Sequence, residues 1–107
     1  MNIGFDDFKK IEMKVGEVVE AERVEGSDKL VKLVVDIGSE KRQIVAGIAK
    51  HYSPEELKGR QVSVVANLEP RDIFGHQSQG MLLAADIDGR PVLISPDENV
   101  DPGSRIR

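Results

Sequence analysis

The sequence predicts an all-β fold, a small barrel of five or six short strands. Three observations point there. Apolar residues alternate with polar ones in short runs, the pattern of strands with one face buried. Aliphatic residues supply the core, since aromatics are only 4% of the chain while hydrophobic residues are 39%, and short aliphatic runs favour strands over long helices. Finally, Gly16 interrupts the first alternating run, and a glycine inside a strand marks a bend or bulge of the kind a small barrel needs in order to close.

The elements follow in order. Phe5 to Ile11 reads as a short helical lead-in, with acidic residues early and lysines late, as the helix dipole prefers. Met13, Val15, Val19 and Ala21 are the apolar positions of a long first strand. Glu25 to Asp28 is a loop. A second strand runs from Leu30 to Ile37, with Val31, Leu33, Val35 and Ile37 on one face. Gly38-Ser39-Glu40 is a turn, and Arg42 to Gly47 completes a hairpin. Ser53-Pro54-Glu55-Glu56-Leu57 is a helix start with its own capping box, stopped by Gly59. Val62, Val64, Ala66 and Leu68 alternate in a fourth strand. Met81 to Ala85 is a fifth, and Asp88-Gly89 is a tight turn leading into Val92-Leu93-Ile94. A small helix between the third and fourth strands is the order of an OB-fold, the five-stranded partly open barrel that binds oligonucleotides.

The 107 residues are the length of one domain, expected to span 1–107. There is no cysteine, which excludes disulfides and thiolate metal sites. No apolar run reaches membrane-spanning length, and the expected setting is the cytoplasm. The net charge is -4, which opposes non-specific binding to a polyanion. The charge is uneven: residues 26–60 sum to +2 between acidic ends.

Catalytic chemistry finds no support. His51 and His76 lack partners at ligand spacing, so no metal is expected. Asp72, His76 and Ser78 lack a nucleophile elbow. Asp86-Ile87-Asp88-Gly89 lacks the remainder of a calcium loop and is read as a turn. No cofactor fingerprint occurs, and the domain is read as non-enzymatic. The more informative stretch is the connection from Ala66 to Met81. There Asn67, Arg71, Gln77, Ser78 and Gln79 cluster around apolar Phe74 and Met81, as on binding loops carried by a rigid barrel. An ordinary polar crossover with Met81 in the core fits the same residues equally well.

Several spaced blocks carry a resemblance. Asp7-Phe8-x-Lys10-Ile11 with Val15-Gly16 opens it, and Ala21-Glu22-x-Val24-Glu25-Gly26-Ser27-Asp28-Lys29-Leu30 follows. Val45-Ala46-Gly47-Ile48, Tyr52-x-Pro54-Glu55-Glu56-Leu57, Asn67-Leu68-x-Pro70-Arg71 and Ser78-Gln79-Gly80-Met81-Leu82-Leu83-Ala84-Ala85 continue it. Together these resemble the structure-specific tRNA-binding proteins and the C-terminal tRNA-binding domain of methionyl-tRNA synthetases. The superfamily also holds the CsaA-type chaperone-like proteins. The resemblance implies an OB-fold with N- and C-terminal additions, a homodimer built through them, and tRNA held by shape and backbone. It places Ser78 and Met81 at the centre of RNA contact, with a polar contact from Asn67. Arg42, Lys32 and Arg71 would supply charge, and Gly80 would let the backbone approach the ligand. Glu69 and Asp72 stand where relatives often carry basic residues, which implies a weaker and more salt-sensitive affinity. The competing reading is a peptide-binding module on the same barrel. A general single-strand binder is disfavoured by the few stacking platforms: three Phe, one Tyr and no Trp.

Overall fold

The computed structural model describes residues 1–107. A single helical turn, α1 (Phe5–Phe8), precedes β1 (Met13–Arg23), β2 (Val31–Asp36), β3 (Lys41–Ala46), a second helical turn α2 (Pro54–Leu57) and β4 (Gln61–Val65). β1 is shared between two neighbours. Met13 to Glu17 pair with β4, and Glu17 to Arg23 pair with β2. Gly16 sits where the strand passes from one partner to the other. An added Cβ there would collide with Cγ1 of Val35 and lie 3.2 Å from Cγ2 of Val64. The bend therefore brings backbone, not a side chain, against the centre of the core.

A register shift between Val18 and Glu20 follows that bend. It breaks the expected alternation: Val18 ahead of it is fully buried and Ala21, three positions on, packs on the same core, while Val19 between them is only half-buried. The extra residue of a bulge flips the sides of everything after it, which a strict period of two does not anticipate. The core collects Val18, Leu33, Val35, Ile44, Val62 and Val64, and Leu57 plugs it from α2. That plug is aimed by the predicted capping box. Ser53 Oγ accepts from the Glu56 amide at 3.2 Å, and Glu56 Oε1 accepts from the Ser53 amide at 2.7 Å.

The connection after β4 is not a plain loop. It contains a small ribbon, β5 (Arg71–Ile73) and β6 (His76–Ser78), before the short β7 (Met81–Leu82). Three-residue strands with at most one apolar residue carry no alternation signal. What holds the ribbon down is Ile73, which packs on a separate cluster of Val24, Leu30 and Val45. The expected strand from Met81 to Ala85 is also divided. β7 pairs with β4, then the Leu83 amide donates to the Ser63 carbonyl at 3.0 Å. Beyond it the chain leaves the barrel as β8 (Ala84–Ile87), paired with β9 (Arg90–Leu93) in its own ribbon.

The sheet order is β3-β2-β1-β4-β7. The free edge of β3 meets the chain just ahead of β7. Gln79 N donates to the Gln43 carbonyl at 2.7 Å, and Val45 N donates to Ser78 Oγ at 3.0 Å. This seam nearly closes a five-strand antiparallel barrel of the OB type. The C-terminal tail then covers the outside of β4. Gln61 donates to the Val100 carbonyl at 2.6 Å and accepts from the Val100 amide at 3.0 Å. Ser63 donates to the Ile94 carbonyl at 2.9 Å. β4 is thus buried on both faces with its polar groups satisfied. A last strand, β10 (Arg105–Ile106), pairs with Met13 and Lys14. No helix is long and apolar enough to cross a membrane.

Gly16→Ala should lower the unfolding free energy by about 1–3 kcal/mol, the usual cost of forcing a methyl group into a filled core. Urea denaturation measures it; an unchanged midpoint would show that Val35 can move aside.

Candidate nucleic-acid interface

Two adjoining clefts run along the seam. One is lined by Arg42, Asn67, Gln79, Glu12, Glu40 and Glu69. The next holds Arg71, Ser78, Gly80 and Met81, and both clefts share Leu68, Glu69 and Pro70. Six of the seven expected site residues are therefore brought together. Lys32 is the exception. It lies on the outer face of β2, in a different cleft with Glu20, Glu22 and Lys58, and its ammonium pairs with Glu22 at 2.9 Å.

The structure gives most of these residues work inside the chain. Ser78 is 3% exposed. Its hydroxyl accepts from Val45 N and donates to the Gly80 carbonyl, each at 3.0 Å. The expectation of Ser78 as a surface contact is thereby revised: its oxygen satisfies a buried amide on the edge of β3. Asn67 has an exposed backbone position, yet its amide is engaged at both ends. Oδ1 accepts from the Glu12 amide at 2.8 Å, and Nδ2 donates to the Lys10 carbonyl at 2.6 Å. It ties the N-terminal segment to the end of β4.

Arg42 is a clip across the seam. Nη1 donates to the carbonyls of Ala66 at 2.7 Å and Gln79 at 3.2 Å, and Nη2 pairs with Glu40 at 2.9 Å. The hydrogen bond and positive charge of Arg42 hold the Glu40 carboxyl below its ordinary pKa. With Glu12 and Glu69 beside it, this cleft offers a phosphate little attraction. Gly80 has φ +140, and an added Cβ would sit 3.1 Å from the Val65 carbonyl. Its close approach is to β4, not to open space.

Met81 and Arg71 remain open to a ligand. Met81 is 45% exposed, and Arg71 is exposed and forms no ion pair. Both also border a larger, mainly apolar groove of about 570 Å³, with Val45, Ile48, Ile73 and Phe74. Lys29 stands on its rim, exposed and free of ion pairs. Lys29 is absent from the expected site residues, since nothing local to the sequence separates it from the other lysines. The structure shows that Asp28 faces Lys50, at 3.8 Å, which leaves Lys29 uncompensated.

A family profile described as "Putative tRNA binding domain" matches residues 13–105. The chain belongs to this tRNA-binding domain family. Similar family members include the methionine–tRNA ligase of Methanothrix thermoacetophila, 67% identical over 98% of this chain and 16% of the relative. That of Archaeoglobus fulgidus is 51% identical over 97% of this chain and 16% of the relative. The chain thus spans about one-sixth of the length of these curated relatives. Among solved structures, a MetRS-related protein from Pyrococcus horikoshii superposes with TM-score 0.94 at 44% identity, covering 100% of this chain and 99% of that one. Chaperone CsaA from Bacillus anthracis superposes with TM-score 0.91 at 29% identity over the whole of both chains. The match to the tRNA-binding family covers both barrel and seam, so this domain is a tRNA-binding module.

Ser78→Ala should cost about 1–3 kcal/mol of stability, because the Val45 amide loses its acceptor inside the protein. Chemical denaturation measures the loss, and faster hydrogen exchange at Val45 localises it. Unaltered stability with weakened RNA binding would instead return Ser78 to a contact role.

Proposed function

We propose that residues 1–107 act as one tRNA-holding unit, which grips folded tRNA by its backbone and shape. The supporting observation is how the polar side chains of the seam are spent. Asn67, Ser78 and Arg42 are all engaged within the chain, and so are Gln43 and Gln79. Gln43 Nε2 donates to the Gln77 carbonyl at 2.8 Å, and Gln79 Oε1 accepts from the Gln43 amide at 3.2 Å. Few groups are left to read base edges, whereas Arg71 and Lys29 are free for phosphates. Phosphate contacts position a protein without reading sequence.

In this reading the unit serves methionyl-tRNA synthetase in the cytoplasm, as an appendage or a separate subunit. It raises the local tRNA concentration and takes no part in bond-making itself. Two copies work together. α1 has no buried residue, and Ile3, Phe5, Phe8 and Ile11 are exposed in succession. Phe5, Phe8 and Ile11 share a cleft with Met13 and Ile106 of the terminal strands. An apolar surface shared by both ends of the chain is suited to cover by the same surface of a second copy. A peptide-holding role is the alternative, favoured by the apolar groove and the likeness to CsaA.

A gel-shift titration of tRNA against a single-stranded oligonucleotide of equal length, at two salt concentrations, tests the proposal, and sedimentation equilibrium of the protein alone should give a dimer. Folded tRNA should bind more tightly. Log affinity should fall linearly with log salt, and Arg71→Ala should reduce that slope by about 1. Met81→Ala should weaken binding without lowering stability. Equal binding of both RNAs, or a flat salt response, would overturn the proposal, and a monomer in solution would remove the two-copy arrangement.

A further inference from the structure

The ribbon of β5 and β6 turns through Phe74 and Gly75, with φ of +53 and +82. Ile73 and His76 pair across it, so both central residues lie in the left-handed region, as a type I′ turn requires. The ribbon of β8 and β9 turns in the same way through Asp88 and Gly89, with φ of +51 and +85. Asp-Gly is a favoured pair for this turn, because a short polar side chain tolerates positive φ. A bulky phenylalanine there is an outlier that costs backbone energy. One chain therefore builds the same turn twice and breaks the local rule once.

Burial does not compensate for the outlier. Phe74 is 60% exposed. Its side chain lines the same apolar groove as Met81. Gly26 of the neighbouring loop lies beside it, where an added Cβ would make ordinary contact with the ring, at 3.4 Å. Backbone strain with no packing return points to a role in binding. Charge says which kind of ligand. Arg71 and Lys29 flank the groove. Asp72, between Arg71 and Ile73 in β5, falls on the other face of the ribbon by strand alternation. Glu69 does not line the groove; it lies in the adjoining cleft, which Arg71 and Met81 also border. The groove is thus an apolar slot with one aromatic wall and two cationic rims.

Building on the tRNA-holding reading, we propose that this groove takes one unpaired nucleotide of the RNA. Its base stacks on Phe74 and lies against Met81, and its flanking phosphates sit on Arg71 and Lys29. One aromatic platform suits one base. Specificity then comes from whether a nucleotide can leave its helix at that place, not from which base it is.

Two fluorescent RNA hairpins with the same stem, one fully paired and one with a single bulged uridine, test this with the full chain. The bulged hairpin should bind about tenfold more tightly, the scale of one base–aromatic stack. Phe74→Asn should melt at the same or a higher temperature, because the turn is relieved, and should lose the preference. Phe74→Tyr should keep it. Equal binding of the two hairpins by the native chain, with tRNA still preferred over a single strand, would overturn this inference alone. Failure to bind any RNA would overturn it together with the tRNA-holding reading. A preference that survives in Phe74→Asn would remove the ring from the site. Displacement of the bulged hairpin by an extended apolar peptide, with no gain from the bulge, would assign the groove to peptides.

Discussion

The hydrogen bond from the Val45 amide to the Ser78 hydroxyl is the contact on which the rest of the architecture turns. β3 is the last strand of its sheet, and its outer edge carries backbone groups that would be costly to bury unpaired. Regular strand pairing does not reach them, because β7 is short and pairs with β4 instead. A side chain replaces the missing strand. Gln79 adds a backbone bond to Gln43 on the same edge, Arg42 clips both sides, and Gly80 lets the chain lie against Val65.

Closing the barrel in this way determines what the outer surface can offer. Polar side chains committed to the seam are satisfied, held in place and unavailable to a ligand. The groove under the β5–β6 ribbon, proposed as the ligand site, is where apolar side chains and two unpaired cations meet. The seam positions that ribbon: Ser78 is both the last residue of β6 and the acceptor for Val45. The closing of the fold and the shaping of this groove are one event.

Electrostatics divides the same face. Around Arg42, the carboxylates of Glu12, Glu40 and Glu69 outnumber the single guanidinium. In the neighbouring groove Arg71 and Lys29 are joined by no carboxylate, although Glu69 shares the intervening cleft with Arg71. A chain of net charge -4 can still attract RNA when its cations lie where the ligand docks and its carboxylates lie aside. The β5 alternation does part of this work by turning Asp72 away from Arg71.

Much of the fold was legible in the residues themselves. Strand alternation, the Gly16 bend, the Ser53 capping box and the Asp88-Gly89 turn are local properties, set by side chains a few positions apart. The family resemblance likewise rested on blocks that any reader of the sequence can see. What the tertiary structure alone decided is the use of each polar residue. Ser78 and Val45 are 33 positions apart, and Asn67 is 57 from Lys10. Whether such groups face solvent or each other depends on how the barrel closes, because a hydrogen bond between distant residues leaves no periodic trace in the chain. The short β5–β6 ribbon escaped notice for a related reason: three-residue strands are held by what they pack on, here Val24, Leu30 and Val45, rather than by a pattern of their own.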